Sequence, residues 1–105
     1  MEINPDDMRL TYQLSWLLAT AWEQKVRDGK EALRLAEIIC ENTSYNNPTS
    51  LDLLSAALAE NGQFEKASQT AKKAHGLAVR SKNQKLADNI KIRLQLYEFK
   101  KPYRE

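Results

Sequence analysis

The sequence predicts an all-α fold of five helices, and its punctuation is the first reason. Pro5, Pro48 and Pro102 are the only prolines, and Gly29, Gly62 and Gly76 the only glycines. Between these widely spaced breakers the chain is rich in Ala, Leu, Glu, Lys and Gln, which lose little conformational freedom in a helix. It also lacks the apolar–polar alternation of half-buried strands.

Proline is tolerated in the first turn of a helix and breaks its interior, so Pro5 and Pro48 read as helix starts and Pro102 as a stop. The first helix is predicted over about Asp6–Trp22, where the polar stretch EQKVRDG follows; Asp6 and Asp7 complement the positive end of its macrodipole. The second runs over about Lys30–Glu41 behind an Asp28 N-cap, and ends at ENTSYNN, whose side chains prefer turns and caps. The third starts at Pro48 behind Asn47 as N-cap and stops before Asn61-Gly62. The fourth spans about Phe64–Val79, and the fifth about Asn83–Lys100.

At 105 residues and 12.1 kDa the chain has the size of one domain. With 42% hydrophobic and 29% charged residues it is too apolar for intrinsic disorder. A mean hydropathy of −0.64 and the lack of a long apolar run argue against a membrane-spanning helix. The opening MEINPDDMRL carries no basic-then-apolar leader, so a cytoplasmic location and no membrane partner are expected. The net charge of +2 is unevenly spread: residues 1–70 hold 6 basic and 11 acidic side chains, net −5, and residues 71–105 hold 10 basic and 3 acidic, net +7. Such a dipole orients charged partners or holds neighbouring helices together.

The chain is also self-similar. Sliding it by 35 positions sets Ala67 on Ala32, Ala71 on Ala36, Leu51 on Trp16, Leu53 on Leu18, Ser55 on Thr20 and Gly62 on Arg27. Each half then reads as a helix with a small residue midway, a turn, and a second helix with alanines four apart, the period of a stacked helical-hairpin array. LDLLSAALAENGQFEKASQTAKKA resembles a tetratricopeptide repeat through Leu54, Ser55, Gly62, Phe64, Ala67 and Ala74, with Leu58 where that family commonly has an aromatic. The first unit is similar through Trp16, Thr20, Ala32 and Ala36, but departs at Ala19, Glu23, Arg27 and Gly29. The whole, through RLQLYEFKKPYRE, resembles short C-terminal repeat modules of bacterial multidomain proteins. The resemblance implies a right-handed stack of two hairpins, at about 10–42 and 48–80, closed by a helix at about 83–100. It further implies a non-catalytic protein-interaction scaffold.

In that reading Leu10, Leu14, Leu17 and Ala21 with Thr49, Asp52 and Ala56 form a partly apolar concave groove for a peptide, an amphipathic helix or a second copy of the chain. The competing reading is that the leucines fill the seam between the first two helices. Family members that clamp a C-terminal carboxylate use Lys and Asn there; Leu17, Leu18, Ala21, Asp52, Leu53 and Ala56 supply neither. On the fifth helix Leu86, Ile90, Leu94 and Tyr97 form a core stripe. Ile92, Leu96 and Phe99 form a second, either core edge or contact patch.

Chemistry has few candidates. Cys40 and His75 are single and lack metal-ligand spacing, so no metal, cofactor or catalytic residue is expected. The glycines read as isolated turn residues rather than a phosphate loop. The alternative function is nucleic-acid binding by the basic C-terminal helices and tail, where Lys72, Lys73, Arg80, Lys82, Lys85, Lys91, Arg93, Lys100, Lys101 and Arg104 gather with Tyr97 and Tyr103 interleaved.

Overall fold

A computed structural model describes residues 5–105, and within it the side chains from residue 7 onward. All regular structure is helical: α1 Pro5–Thr20, α2 Gly29–Asn42, α3 Pro48–Glu60, α4 Phe64–Arg80 and α5 Gln84–Glu98. α1 with α2 and α3 with α4 form two hairpins, α1 and α2 both pack on α3, and α5 closes the far side against α4. The predicted five helices and their order are therefore present. α1 stops two residues before the expected Trp22, and Gly76 lies inside α4 rather than in a turn. The expected role of Asp6 lies outside the described side chains.

The helix starts follow local chemistry. The Asp28 side chain accepts the Glu31 N–H at 3.1 Å, and Asn47 accepts Ser50 N–H at 3.1 Å with Pro48 behind it. Asn83 caps α5 in the same way, accepting Leu86 N–H at 3.1 Å. Three helix ends share one device. Gly62, Lys82 and Lys100 all adopt positive φ two residues past their helices, and the next N–H returns to Leu58, Ala78 and Leu96 carbonyls at 2.9 Å. This satisfies carbonyls that the helix leaves without partners. Glycine takes that conformation without steric cost at Gly62; the two lysines take it against their Cβ.

α3 is the centre of the core: Ser50 through Ala59 are all buried. α4 meets it with a stripe of alanines, Ala67, Ala71, Ala74 and Ala78, each fully buried. Side chains this small let helix backbones approach closely, so α4 sits tightly between α3 and α5. A further close approach joins the hairpins. Asn61 Nδ2 donates to the Gly29 carbonyl at 2.7 Å, and a Cβ at Gly29 would stand 3.1 Å from that side chain.

The two hairpins match, but not with one register. Their second helices begin 35 residues apart, at Gly29 and Phe64, whereas their first helices end 40 apart, at Thr20 and Glu60. The difference is the connection, residues 21–28 in the first hairpin against 61–63 in the second. Buried Ser15 is thus the counterpart of buried Ser55, and Ala19 of Ala59. Ser15 Oγ donates to the Ala32 carbonyl at 2.8 Å, pinning α1 to α2. In this register Tyr12 and Trp16 stand at the places of Asp52 and Ala56; Leu17 and Ala21 do not.

Replacing Ala71 by Leu forces extra methyl groups into the α3–α4 contact. We expect about 1–3 kcal/mol of destabilisation, measured as a lower urea midpoint with unchanged m-value.

Candidate functional site

α1, α3 and α5 share one face, and polar and aromatic side chains converge on it. Arg93 from α5 donates twice to Asp52 on α3, Nε to Oδ1 at 2.9 Å and Nη2 to Oδ2 at 2.6 Å. Both residues are buried. The guanidinium lies 5.2 Å from the Trp16 ring centre and 5.1 Å from that of Tyr103, a cation–π contact with two adjoining rings. Tyr12 stacks parallel on Trp16 at 6.2 Å.

Burial pushes the Asp52 carboxyl above its ordinary value, against the pull of the Arg93 hydrogen bond. Burial alone would depress Arg93, but Asp52 outweighs it and holds the guanidinium above its ordinary value. The Tyr12 hydroxyl is pushed up to about 12, first by burial and then by the Asp52 charge. Tyr97 is raised by burial in the same way, and then by the Asp52 charge.

The segment after Pro102 closes over this cluster. Tyr103 packs at 5.8 Å on Trp16, and the Trp16 indole N–H donates to the Glu105 carboxylate. The Glu105 N–H donates to the Thr20 carbonyl at 2.9 Å. Between them Arg104 pairs with Glu60 at 2.7 Å, and the other Glu60 oxygen takes Arg27 at 3.3 Å. Arg27 in turn donates to the Ala21 and Trp22 carbonyls, satisfying the frayed end of α1. The segment after Pro102 thus bounds the cleft that Leu17 and Ala21 line.

The seven residues expected to line one groove are divided among four places. Asp52 and Ala56 are buried, the first as the partner of Arg93. Leu17 and Ala21 line a cleft of about 420 Å³ between α1 and Glu105, and Thr49 lines another of about 380 Å³ beside Met8. Leu10 and Leu14 stand with Leu17 on the outer side of α1, fractionally exposed by 61%, 48% and 50%. Their counterparts in the helix register, Ser50, Leu54 and Ala57, are exposed by only 5%, 8% and 0% because the preceding hairpin covers them. On α5, Ile90 and Tyr97 are buried, Leu96 is half-buried, and Ile92 and Phe99 are exposed. The second stripe is thus largely open surface.

Tyr12 and Trp16 were not singled out as site residues from the sequence, and Arg93, Arg104 and Tyr103 were read only as part of a basic nucleic-acid patch, whereas Arg93 is paired with Asp52 and Arg104 with Glu60. The only signal was indirect: Tyr12 and Trp16 share one face of the first helix. Among the described residues no three His, Cys, Asp or Glu side chains cluster to hold a metal ion. Cys40 is buried, its thiol donates to the Ser50 carbonyl at 3.4 Å, and burial pushes it up to about 11, so it is not a thiolate near neutral pH. No helix among the described residues is long and apolar enough to cross a membrane. Compared with protein families, curated proteins and solved structures, the chain returns no match.

Asp52→Ala strands the Arg93 charge and is expected to cost about 3–5 kcal/mol by urea unfolding. Asp52→Leu combined with Arg93→Met removes both charges and is expected to recover most of that loss, so a double mutant as unstable as the single one would contradict the assignment. Tyr103→Ala uncovers Trp16, and the emission of that indole should shift to the red in a Trp22→Phe background; an unchanged spectrum would show that the tail does not seal it.

Proposed function

We propose that this chain is a non-catalytic protein-interaction module whose docking surface is the outer face of α1, and that it accepts an apolar helix face. One observation carries the reading. Leu10, Leu14 and Leu17 occupy the positions at which α3 is covered by a helical hairpin, yet on α1 they stand exposed, with no other described helix over them. Three large apolar side chains at i, i+4 and i+7 make a continuous stripe of the kind that takes a partner helix. Exposed Trp22, just past the end of α1, adds an aromatic anchor nearby.

The tail supports placing the contact here rather than in the shared groove. Tyr103 and Glu105 already make the aromatic and polar contacts that a bound peptide would make with Trp16 and Thr20. The apolar cleft beside Leu17 extends the α1 surface toward that tail.

The test is a backbone amide NMR titration of the folded chain with two probes. One is a synthetic amphipathic helix carrying leucines at i, i+4 and i+7, and the other is a single-stranded oligothymidylate. The helix is expected to perturb residues 10–17, and Leu14→Glu is expected to weaken its binding about tenfold or more. Perturbation by the oligonucleotide alone, confined to the lysines of α4 and α5, would replace the reading with nucleic-acid binding.

A further inference from the structure

The cleft of about 420 Å³ between α1 and the tail has walls of two kinds. Tyr12, Trp16, Leu17 and Ala21 give it an apolar and aromatic side, and Glu105 on the tail stands across from them. Of the described residues that line it, Glu105 alone carries a formal charge. The Tyr12 hydroxyl, pushed up to about 12, stays neutral near pH 7. Leu17 and Glu105 are both exposed, so the cleft is reached from solvent.

We propose that this cleft binds a small organic ammonium, with its apolar body against Trp16, Leu17 and Ala21 and its charged nitrogen on the Glu105 carboxylate. The volume falls in the range of about 300–1,000 Å³ usual for small-ligand pockets. The carboxylate is open to a second partner. One oxygen accepts the Trp16 indole N–H, a neutral donor, and among the described residues Glu105 has no ion pair. A carboxylate has room for about four hydrogen bonds, and the three donors of a protonated amine suit what is left. The guanidiniums nearby are engaged elsewhere, Arg93 with Asp52 and both Arg27 and Arg104 with Glu60. A neutral ligand would gain only the apolar contacts, and an anion would face the carboxylate. A cation with an apolar body gains from both walls.

The site spans two parts of the chain that are far apart in sequence. Glu105 is held in place because its own N–H donates to the Thr20 carbonyl at 2.9 Å. A ligand seated between Glu105 and α1 therefore bridges the tail to the helix, and its binding reads out at both.

Three probes of one shape test the charge preference: phenethylammonium, neutral 3-phenylpropanamide and anionic 3-phenylpropanoate. Each is titrated into the full chain carrying Trp22→Phe, so that Trp16 emission reports the cleft, with backbone amide NMR to place the contact. Phenethylammonium is expected to saturate with a dissociation constant on the order of a millimolar, shifting residues 12–21 and 105. The amide is expected to bind about threefold to fivefold more weakly, and the propanoate more weakly still. Glu105→Gln keeps an acceptor for the indole at an exposed position, so its helical circular dichroism is expected to be unchanged. It should bring phenethylammonium down to the affinity of the amide. Leu17→Lys places the chain's own ammonium at the cleft and should suppress binding of the probe, a second variant that does not depend on altering the tail. Equal binding of the three probes, no saturation by phenethylammonium, shifts confined to residues outside the cleft, or wild-type affinity in either folded variant would each overturn the proposal. Any of these would leave the docking role of α1 standing, because Leu10 and Leu14 lie outside the cleft.

Discussion

The buried pair of Asp52 and Arg93 is the constraint on which the closed end of the molecule depends. α5 packs broadly on α4 but meets α3 only narrowly, so its alignment with the first helices of the hairpins rests heavily on this two-pronged contact. A buried ion pair is not in itself a source of much stability, because desolvation offsets most of the attraction. Its effect is on geometry: a planar fork matched to a carboxylate admits one orientation, and the aromatic rings of Trp16 and Tyr103 hold the guanidinium plane from outside. Through those rings the pair also sets where α1 and the tail lie.

Around this polar centre the fold is held by very small side chains. α4 contributes only alanines to the fully buried face, and α2 contributes Ala32 and Ala36 with Leu35, Ile39 and Cys40. Close helix approach through alanine gains dispersion contacts and exposes little, but it leaves few large apolar side chains to drive burial. α3 supplies half of them, with Leu51, Leu53, Leu54 and Leu58 all buried. The division of labour explains why one helix of thirteen residues is enclosed along nearly its whole length while α1 and α5 each keep an open stripe.

Helix content and order were legible in the sequence because proline, asparagine caps and the alanine stripes act locally. Asp28, Asn47 and Pro48 all do what their chemistry dictates at the positions they occupy. The register of α1 was not legible. A slide of 35 residues aligns the alanines of α2 and α4 correctly, but the five extra residues in the first connection shift the helix before it, and those residues carry no turn signature that announces an insertion. The candidate site was hidden for a different reason. Asp52 and Arg93 are far apart in the chain, and each alone reads as a solvated charge; only the packing of α5 across the stack brings them together. The tail was hidden again, since KPYRE has no periodicity and its partners, Trp16, Thr20 and Glu60, lie on helices laid down much earlier.

That tail alters how the molecule comes apart. A linear array of helical hairpins ordinarily frays from its ends, because each unit touches only its neighbours and the outermost ones have the least to lose. Here the last residues of the chain are fastened to the carbonyl of Thr20 and the indole of Trp16, so the final helix cannot peel away without also letting go of the first. The fastening turns an open row into a circuit. Its melting is consequently that of one cooperative unit, with both extremities lost together.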